Sequence, residues 1–294
     1  MSSQRDGLAR SVQVQLSRHA KAIGVDPNLV MTRFAVERLL YRLSLSPHAE
    51  RFLLKGALLM LAWLGDTLRP TRDADLLGFG ALEEDDLRRI FVELCAMEGG
   101  DDAMLFLPDT MRVEPIRTED AYGGRRVTLM AALGTARLRV QVDVGIGDAV
   151  VPPPVWLEYP SLLSSLPRPR LRAYSPATVV AEKLHAIVLL GRRNSRMKDY
   201  FDLRALAISA ARPDEQTLAE AIAATFTRRA TPIPEHVPTG LSDEFARDAD
   251  KLTQWAAFLG KNRLEAPALA PVVVEVRSFV AAPLAAARRK MGTS

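Results

Sequence analysis

The stretch Thr71-Arg72-Asp73-Ala74-Asp75-Leu76-Leu77 decides how this chain is interpreted, because it joins two acids to an apolar run. Alternation along a strand would send Asp73 and Asp75 to one face and Ala74 and Leu76 to the other. Two carboxylates on one face can share a divalent cation, and Mg²⁺ prefers oxygen ligands of this kind. An Asp-x-Asp pair alone is a weak signal, because most such pairs are surface acids.

The residues before this stretch supply a candidate phosphate contact. Phe52-Leu53-Leu54 predicts a short strand or helix end that leads into Lys55-Gly56, and Ala57 to Leu64 predicts a buried helix. A glycine before a helix lets the backbone N–H approach a phosphate closely, and the helix N-terminus favours anions. Lys55 is a candidate for assisting, although a lysine before a turn is more often a solvated charge.

The residues after it predict a sheet with a third acid. Strands are expected at Arg112 to Arg117 and Arg125 to Leu133, joined through Tyr122-Gly123-Gly124. The clearest strand is Arg137 to Ile146, where valines alternate with polar residues and Asp143 points away from the valine face. Asp143 would complete a metal site and could accept a proton from an attacking hydroxyl. Asp148 is a weaker alternative.

A cluster of prolines, starting at Pro152-Pro153-Pro154, predicts an irregular connector and a domain boundary near residue 170. Ser175-Pro176 begins a helix, with a hydroxyl cap and proline at the first helical position, that ends at Gly191. A second helix is expected from Lys198 to Ala210, and further helices follow. The prediction is an α+β protein with a mixed sheet in residues 1–170 and a mainly helical domain in residues 171–294 that completes the active site.

The helical part carries a second cluster of charges. Lys183 interrupts an otherwise apolar helix, and its ammonium could neutralise triphosphate charge if it faces the acids. Asp199 and Asp202, three positions apart, share one face of the next helix and could orient a basic side chain. The alternative is a set of surface ion pairs that contribute little to stability.

Composition sets broader limits. The chain has 294 residues, 48% hydrophobic and 25% charged, and a net charge of +4, which is typical of a folded globular protein. Residues 168–204 contain nine basic and three acidic residues, a local excess of +6 that favours phosphate partners. The single cysteine, Cys95, and the polar N-terminus indicate a cytoplasmic protein, and the longest apolar run, Ala57 to Leu64, is too short to span a membrane.

Two groups of motifs resemble the AbiEii/AbiGii toxin-type nucleotidyltransferases. The first group is Phe52 to Leu59 followed by Arg69 to Leu77, and the second is Ala181 to Ile187 followed by Arg196 to Leu203. Their order and spacing match over roughly residues 50–205. The chain departs from the family at Gly56-Ala57, where Gly-Gly or Gly-Ser is common, which bears on nucleotide affinity.

The resemblance implies a polymerase-beta-like nucleotidyltransferase core, Mg²⁺, a nucleoside triphosphate, a separately encoded antitoxin and an acceptor such as the tRNA 3′ end. It implies catalytic roles for Asp73, Asp75, Lys183, Asp199 and Asp202. The expected metal ligands are Asp73, Asp75 and Asp143, and the expected nucleotide contacts are Lys55, Gly56, Thr71, Arg72 and Lys183. The expected RNA contacts are Arg192, Arg193, Arg196 and Lys198.

Three alternatives stay open. The same enzyme could modify a protein, such as its antitoxin. The chain could be an inactive module that binds nucleotide or RNA, which the unusual Ala57 leaves open. It could also be a helical interaction protein whose acids are incidental. No membrane partner is expected.

Overall fold

The computed structural model describes residues 2–65, 71–116 and 123–292. Contacts divide the chain into two compact units. The first unit contains the sheet and the helices that precede and accompany it, up to Ala173. The second contains the segment Asp148–Pro154, the end of the third helix and the chain from Tyr174 onward. The predicted loop at residues 66–70 and the predicted turn at Tyr122 lie outside the described residues.

Ten α-helices and seven strands are formed by the described residues. The helices are α1 Ser2–Ala22, α2 Pro27–Leu45, α3 Ala57–Leu64, α4 Glu84–Ala96, α5 Pro176–Leu190, α6 Met197–Ala207, α7 Glu215–Arg228, α8 Asp243–Arg247, α9 Ala249–Asn262 and α10 Leu269–Gly292. The strands are β1 Phe52–Lys55, β2 Ala74–Gly78, β3 Met104–Pro115, β4 Gly124–Leu133, β5 Ala136–Ile146, β6 Val155–Glu158 and β7 Arg170–Ala173.

The seven strands form one mixed sheet in the order β3-β4-β5-β2-β1-β7-β6. β2 runs parallel to β5 and antiparallel to β1, and β1 runs parallel to β7. The outer pairs, β3 with β4, β4 with β5 and β6 with β7, are antiparallel. This mixed sheet with helices confirms the predicted α+β class and puts β2, the strand of the Asp-x-Asp motif, at its centre.

The two faces of the sheet differ sharply in polarity. Buried side chains such as Val127, Val140 and Val142 form one face, and α2 and α4 pack beside β5 and β3. On the opposite face, β5 carries Arg137, Arg139, Gln141 and Asp143, which are polar and partly or fully exposed. Asp143 lies on this polar face, as the alternation of β5 predicts.

Two strands lie where the sequence predicts an irregular connector. β6 and β7 flank the prolines at 160, 167 and 169, and β7 pairs with β1 through Leu54 and Ala173. Prolines disfavour central strands, but a short antiparallel pair at a sheet edge tolerates them nearby. The prediction of a structureless connector was therefore wrong at both ends of this segment.

A buried charge network joins α2 to the loops around it. Arg38 and Arg42 both bond to Asp102, at 3.2 and 2.7 Å, and all three side chains are buried. Arg38 also donates to the carbonyl of Pro167 at 2.8 Å. Glu37 accepts bonds from the Ser161 hydroxyl and the Leu162 N–H. These side chains fix the loops at 97–103 and 159–169 to the helix, because a buried charge is costly without such partners.

The second unit is mainly helical. α7 packs against α5 and α10, and α10 packs against α6. α8 and α9 are separate helices, because Asp248 ends α8 and caps α9 by accepting from the Asp250 N–H. Among the described residues, α10 alone has the length and hydropathy to cross a membrane, over Leu269–Met291. Several of its side chains, including Val272, Val276 and Ala287, are buried in the unit, as in a core helix.

Candidate active site

Five charged side chains form a row across the polar face of the sheet in the first unit. The register pairs Lys55 of β1 with Asp75 of β2, Asp75 with Asp143 of β5, Asp143 with Arg126 of β4, and Arg126 with Glu114 of β3. Directly paired residues project to the same side of a sheet, so the neighbouring acids Asp75 and Asp143 lie between two cations, and the exposed Glu114 ends the row. The structure thus brings the predicted Asp75 and Asp143 next to each other.

Gly56 fits against Asp75. Its backbone has φ +72°, a left-handed conformation that favours glycine. A Cβ added at Gly56 would lie 2.7 Å from the Asp75 Cγ, far inside van der Waals contact. The absence of a side chain at Gly56 therefore makes room for the Asp75 carboxylate, a role that the sequence analysis did not predict.

Asp73 belongs to the same group of charges. It immediately precedes β2, two positions from Asp75, and the residue is exposed. Its carboxyl is partly withdrawn from water, which raises its pKa above the ordinary value, and the charges of Asp143 and Asp75 raise it further. Arg126 and Arg139 act in the opposite direction. The three acids predicted as metal ligands therefore interact electrostatically, as charges that a cation would relieve.

Asp143 is held by Arg126, which the sequence analysis did not identify. The Arg126 Nε donates to Asp143 Oδ1 at 2.8 Å and its Nη2 donates to Oδ2 at 2.7 Å. Such a bidentate pair is strong and fixes the plane of the carboxylate. Both oxygens of Asp143 are engaged in this structure. Within the described residues no group of three or more His, Cys, Asp or Glu side chains is arranged to hold a metal ion.

The donor set nevertheless suits Mg²⁺. Asp73 and Asp75 offer carboxylate oxygens on one face, and Mg²⁺ in nucleotide enzymes is commonly held by one or two carboxylates together with substrate phosphates. The mutual repulsion of these acids gives a cation a favourable electrostatic position. Asp73 and Asp75 fit the ion directly, while Asp143 would fit it only after Arg126 releases one of its oxygens.

Lys55 lies over the sheet rather than in open solvent. Its Nζ would be 3.3 Å from a Cβ added at Gly145 of β5, so the side chain crosses β2. Gly145 thereby leaves space for the Lys55 ammonium on the face of the sheet that carries Asp75 and Asp143. The other two predicted nucleotide contacts of this region are less enclosed: Arg72 is exposed and Thr71 is half-buried, both just before β2.

The second unit holds the Lys183 cluster, which consists of Lys183, Asp199, Asp202 and Arg196. The Lys183 Nζ donates to Asp199 Oδ1 at 2.9 Å and to Asp202 Oδ2 at 2.8 Å. Arg196 Nε donates to the other oxygen of Asp199 at 2.6 Å. Both acids are fully buried. The structure brings together the three residues of the second predicted motif, and their ion pairs are buried rather than on the surface.

The charges of this cluster control its protonation. Burial alone would raise the pKa of Asp199, but Lys183 and Arg196 lower it to about 2. Asp199 is therefore ionised at neutral pH and holds the lysine ammonium in place. The Lys183 side chain keeps 11% of its surface exposed, so the cluster is not wholly closed to solvent.

The predicted RNA contacts surround this cluster. Arg192, Arg193, Arg196 and Lys198 are all exposed. Arg192 bonds to Asp248 at 3.2 Å, and Arg196 is engaged with Asp199. The loop that carries these residues is held to α9, because the buried Lys251 donates to the carbonyl of Asn194 at 3.0 Å.

A third group of charges in the second unit was not predicted. Arg229 bonds to Asp148 at 2.9 Å and approaches Glu182 at 3.4 Å and His185 Nδ1 at 3.2 Å. Asp148, the weaker metal candidate, is thus part of an ion pair in this unit. His185 is buried and its Nε2 contacts the Thr231 hydroxyl, in agreement with a structural histidine. The network holds Glu182, the neighbour of Lys183, in place.

Cys95 carries no sign of reactivity. It is half-buried, and burial raises the pKa of its thiol to about 12. A thiol is a nucleophile only as the thiolate, so this side chain is inert at neutral pH.

Comparisons with known proteins agree with the motifs. The family model described as "Nucleotidyl transferase AbiEii toxin, Type IV TA system" matches residues 38–282. The comparison with curated proteins found no match.

Two solved structures from Helicobacter pylori are similar in fold. JHP933 has a TM-score of 0.53 and 13% sequence identity, and the alignment covers 91% of this chain and 97% of that chain. A suspected nucleotidyltransferase has a TM-score of 0.48 and 14% identity, with coverage of 92% and 98%. The likeness to JHP933 concerns the fold alone.

Proposed function

Because the chain belongs to the AbiEii family of nucleotidyltransferase toxins of toxin–antitoxin systems, we propose that it is a Mg²⁺-dependent enzyme that transfers a nucleotide from a nucleoside triphosphate to an RNA end. The tRNA 3′ end is the acceptor we favour, and blocked translation is the expected outcome. The observation that carries the proposal is the group of acids Asp73, Asp75 and Asp143, named here the acid row, in which Lys55 lies beside Asp75 and Arg126 beside Asp143.

Asp73 and Asp75 would hold the metal, and Mg²⁺ bound there would neutralise phosphate charge and favour in-line displacement. Lys55 reaches over the sheet toward the same face and would bind a phosphate oxygen. Gly56 keeps the Asp75 carboxylate in position. Asp143, once freed from Arg126, would be the base within reach of an acceptor hydroxyl.

The Lys183 cluster is a second candidate for catalysis, on the strength of the family motifs that its residues match. Asp199 and Asp202 supply two negative charges to one ammonium and so fix the position of Lys183. An ammonium held in this way can bind a triphosphate oxygen without a large entropic cost, because its rotamer is already set. Asp199 and Asp202 would therefore be positioning residues and Lys183 the group that contacts substrate.

A labelling assay tests the proposal. Purified protein is incubated with Mg²⁺, total RNA and each α-labelled nucleoside triphosphate in turn, and Asp75→Asn and Asp85→Asn are measured alongside. Asp85 is an exposed acid on α4 and serves as the control. We expect label in RNA for the native protein and the control, none for Asp75→Asn, and none when the metal is chelated. Absence of transfer with all four nucleotides would contradict the proposal.

The same assay separates the alternatives. Label that protease removes and ribonuclease does not would identify a protein acceptor, such as the antitoxin that membership of this family implies. Nucleotide binding without turnover would identify an inactive binding module. In that case Ala57→Ser, which introduces the Gly-Ser pair common in the family, tests whether Ala57 is the cause. In cells, we expect expression to arrest growth and Asp73→Ala to relieve the arrest.

A further inference from the structure

The polar face of strands β3, β4 and β5 continues well beyond the acid row. Its next row across the sheet is Arg112, Thr128 and Gln141. The row after that is Leu107, Met130 and Arg139, and the last is Leu105, Ala132 and Arg137. These three rows are named here the arginine face.

The arginine face is positive and open. Its three arginines, Arg112, Arg137 and Arg139, are exposed. No acid occupies any position of the three rows, although the exposed Asp109 lies in the bulge of β3 between Leu107 and Arg112. Among the described residues, none of the three arginines forms an ion pair, and Arg137 bonds only to the carbonyls of Gly134 and Ala136. Exposed arginines without an ion pair suit an anionic ligand, because no carboxylate in contact with them offsets their charge.

The arginine face is also continuous with the acids. Arg139 lies four residues from Asp143 and Arg137 six, about 13 and 20 Å along the strand. Arg139 is close enough to Asp73 to influence the charge of its carboxyl. A polyanion that lies along β5 would therefore pass from the arginines to the acid row, and its end would meet Asp73 and Asp75.

We propose that the arginine face is the docking surface for the phosphate backbone of the acceptor RNA, and that it directs the 3′ end of that RNA to the acid row. Arg112, Arg137 and Arg139 bind successive phosphates, and Thr128 and Gln141 donate to sugar or phosphate oxygens between them. Leu105, which is 44% exposed, and Met130 offer apolar contact to the sugar edge. The proposal rests on the proposed function only in taking an RNA as the acceptor.

This surface differs from the one that the sequence predicts. The basic loop at 192–198 has exposed cations, but Arg192 is paired with Asp248 and Arg196 with buried Asp199. An exposed arginine whose charge is balanced by a carboxylate adds less net positive charge to a phosphate-binding surface than an arginine without an ion pair. The three arginines of the sheet therefore add more net positive charge than Arg192 and Arg196 do.

The test is direct RNA binding, without nucleotide or metal. The probe is a fluorescein-labelled RNA hairpin with a single-stranded 3′ end, and its anisotropy is titrated with protein between 50 and 300 mM KCl. The triple variant Arg112→Gln/Arg137→Gln/Arg139→Gln is compared with the native chain. The controls are Arg89→Gln, on α4 at the other face of the sheet, and Arg192→Gln/Arg193→Gln in the basic loop. Circular dichroism verifies that each variant is folded.

Each lost phosphate contact lowers the slope of log K against log salt by about 0.7 to 0.9. Three contacts then correspond to a slope change of about 2 and to a binding loss on the order of a hundredfold at 0.1 M salt. We expect this for the triple variant and a change below about twofold for Arg89→Gln. An unchanged slope in the triple variant, or the larger loss in the loop variant, would overturn the proposal.

Binding and transfer separate the two proposals. If the hairpin binds through the arginines but receives no nucleotide, the proposed function fails and the docking surface stands. If transfer to the hairpin is unimpaired in the triple variant, the docking surface fails and the proposed function stands. A trinucleotide acceptor adds a further check, because it is too short to reach Arg137 and its labelling should be unaffected by Arg137→Gln.

Discussion

The Asp75 carboxylate lies against the Cα of Gly56, in space that any side chain at position 56 would occupy. The glycine directly follows β1 and the acid lies on β2, and these two strands pair antiparallel through Lys55 and Asp75. The position of the acid therefore depends on a residue that carries no chemistry of its own.

We expect Gly56→Ala to displace Asp75 and to abolish transfer as fully as Asp75→Asn does. Two costs combine, a left-handed backbone that disfavours alanine by about 1–2 kcal/mol and a collision with the carboxylate. Gly24→Ala is the matched control, because Gly24 has φ +71° but nothing within 4 Å of its added Cβ. If backbone strain is the only cost, the melting temperature should fall by a similar amount in Gly56→Ala and Gly24→Ala. Full activity in Gly56→Ala would refute the packing role.

Asp73→Asn should stabilise the protein while removing its activity. The pKa of Asp73 is raised in the folded state, so the folded chain binds its proton more tightly than the unfolded chain. The resulting destabilisation is absent well below the ordinary value of 3.8 and is complete above the folded pKa. The melting temperature of the variant should therefore exceed that of the native chain at pH 7 and match it near pH 3. Transfer should fall at least about a hundredfold, because metal stabilisation of a phosphoryl transition state is worth several kcal/mol.

Arg126→Gln should make the protein more dependent on a divalent cation. Arg126 neutralises Asp143, and without it three acids would face one another with less compensating charge. We expect a lower melting temperature without metal and a larger rise on addition of Mg²⁺ than in the native chain, as linkage requires. Arg125→Gln is the control, because Arg125 is one residue away and pairs with Glu83 instead. Equal Mg²⁺ responses in the two variants would argue against a cation site beside Asp143.

Lys183→Gln should destabilise the second unit by about 3–5 kcal/mol at pH 7, because it leaves two buried carboxylates without their ammonium. The native Asp199, with a pKa of about 2, contributes stability above 3.8 that is lost as the pH falls toward 2. In the variant the same carboxyl has a raised pKa, so the difference between the two proteins should shrink below about pH 4. Urea unfolding of both proteins at pH 7 and pH 4 measures this difference in the free energy of unfolding.

The double variant Lys183→Gln/Asp199→Asn separates packing from chemistry. Removal of one buried acid should restore part of the stability that Lys183→Gln loses, while transfer stays absent. A double variant that regains both stability and transfer would show that Lys183 contacts no substrate.

Local periodicity predicted the elements that position the acids. The apolar run Ala57–Leu64 is a helix with the predicted bounds, and the alternating valines of β5 correctly set the direction of Asp143. Short-range patterns succeed here because α3 is a continuous apolar run and β5 buries every second residue. They fail at β6 and β7, which have four residues each, because β7 pairs with β1, a strand distant in the chain, and β6 pairs only with β7.

The Arg126–Asp143 pair could have been predicted from the sequence. β4 ends at Leu133 and β5 begins at Ala136, and a two-residue turn with glycine first is a strong hairpin signal. Counting seven positions back from Leu133 and seven forward from Ala136 brings Arg126 opposite Asp143. The burial of Asp199 and Asp202 could not be predicted from the sequence. The cost of burying these two carboxylates is offset by Lys183 and Arg196, which come together with them only in the folded structure.

The parallel pairing of β1 with β7 has a consequence for synthesis on the ribosome. Lys55, Asp75 and Asp143 are all present once β5 has emerged, yet β1 keeps one open edge until Ala173 pairs with Leu54. An open apolar edge strand invites intermolecular pairing. Prematurely terminated chains that carry the complete acid row should therefore aggregate, so that translation errors yield insoluble fragments instead of an unregulated toxin.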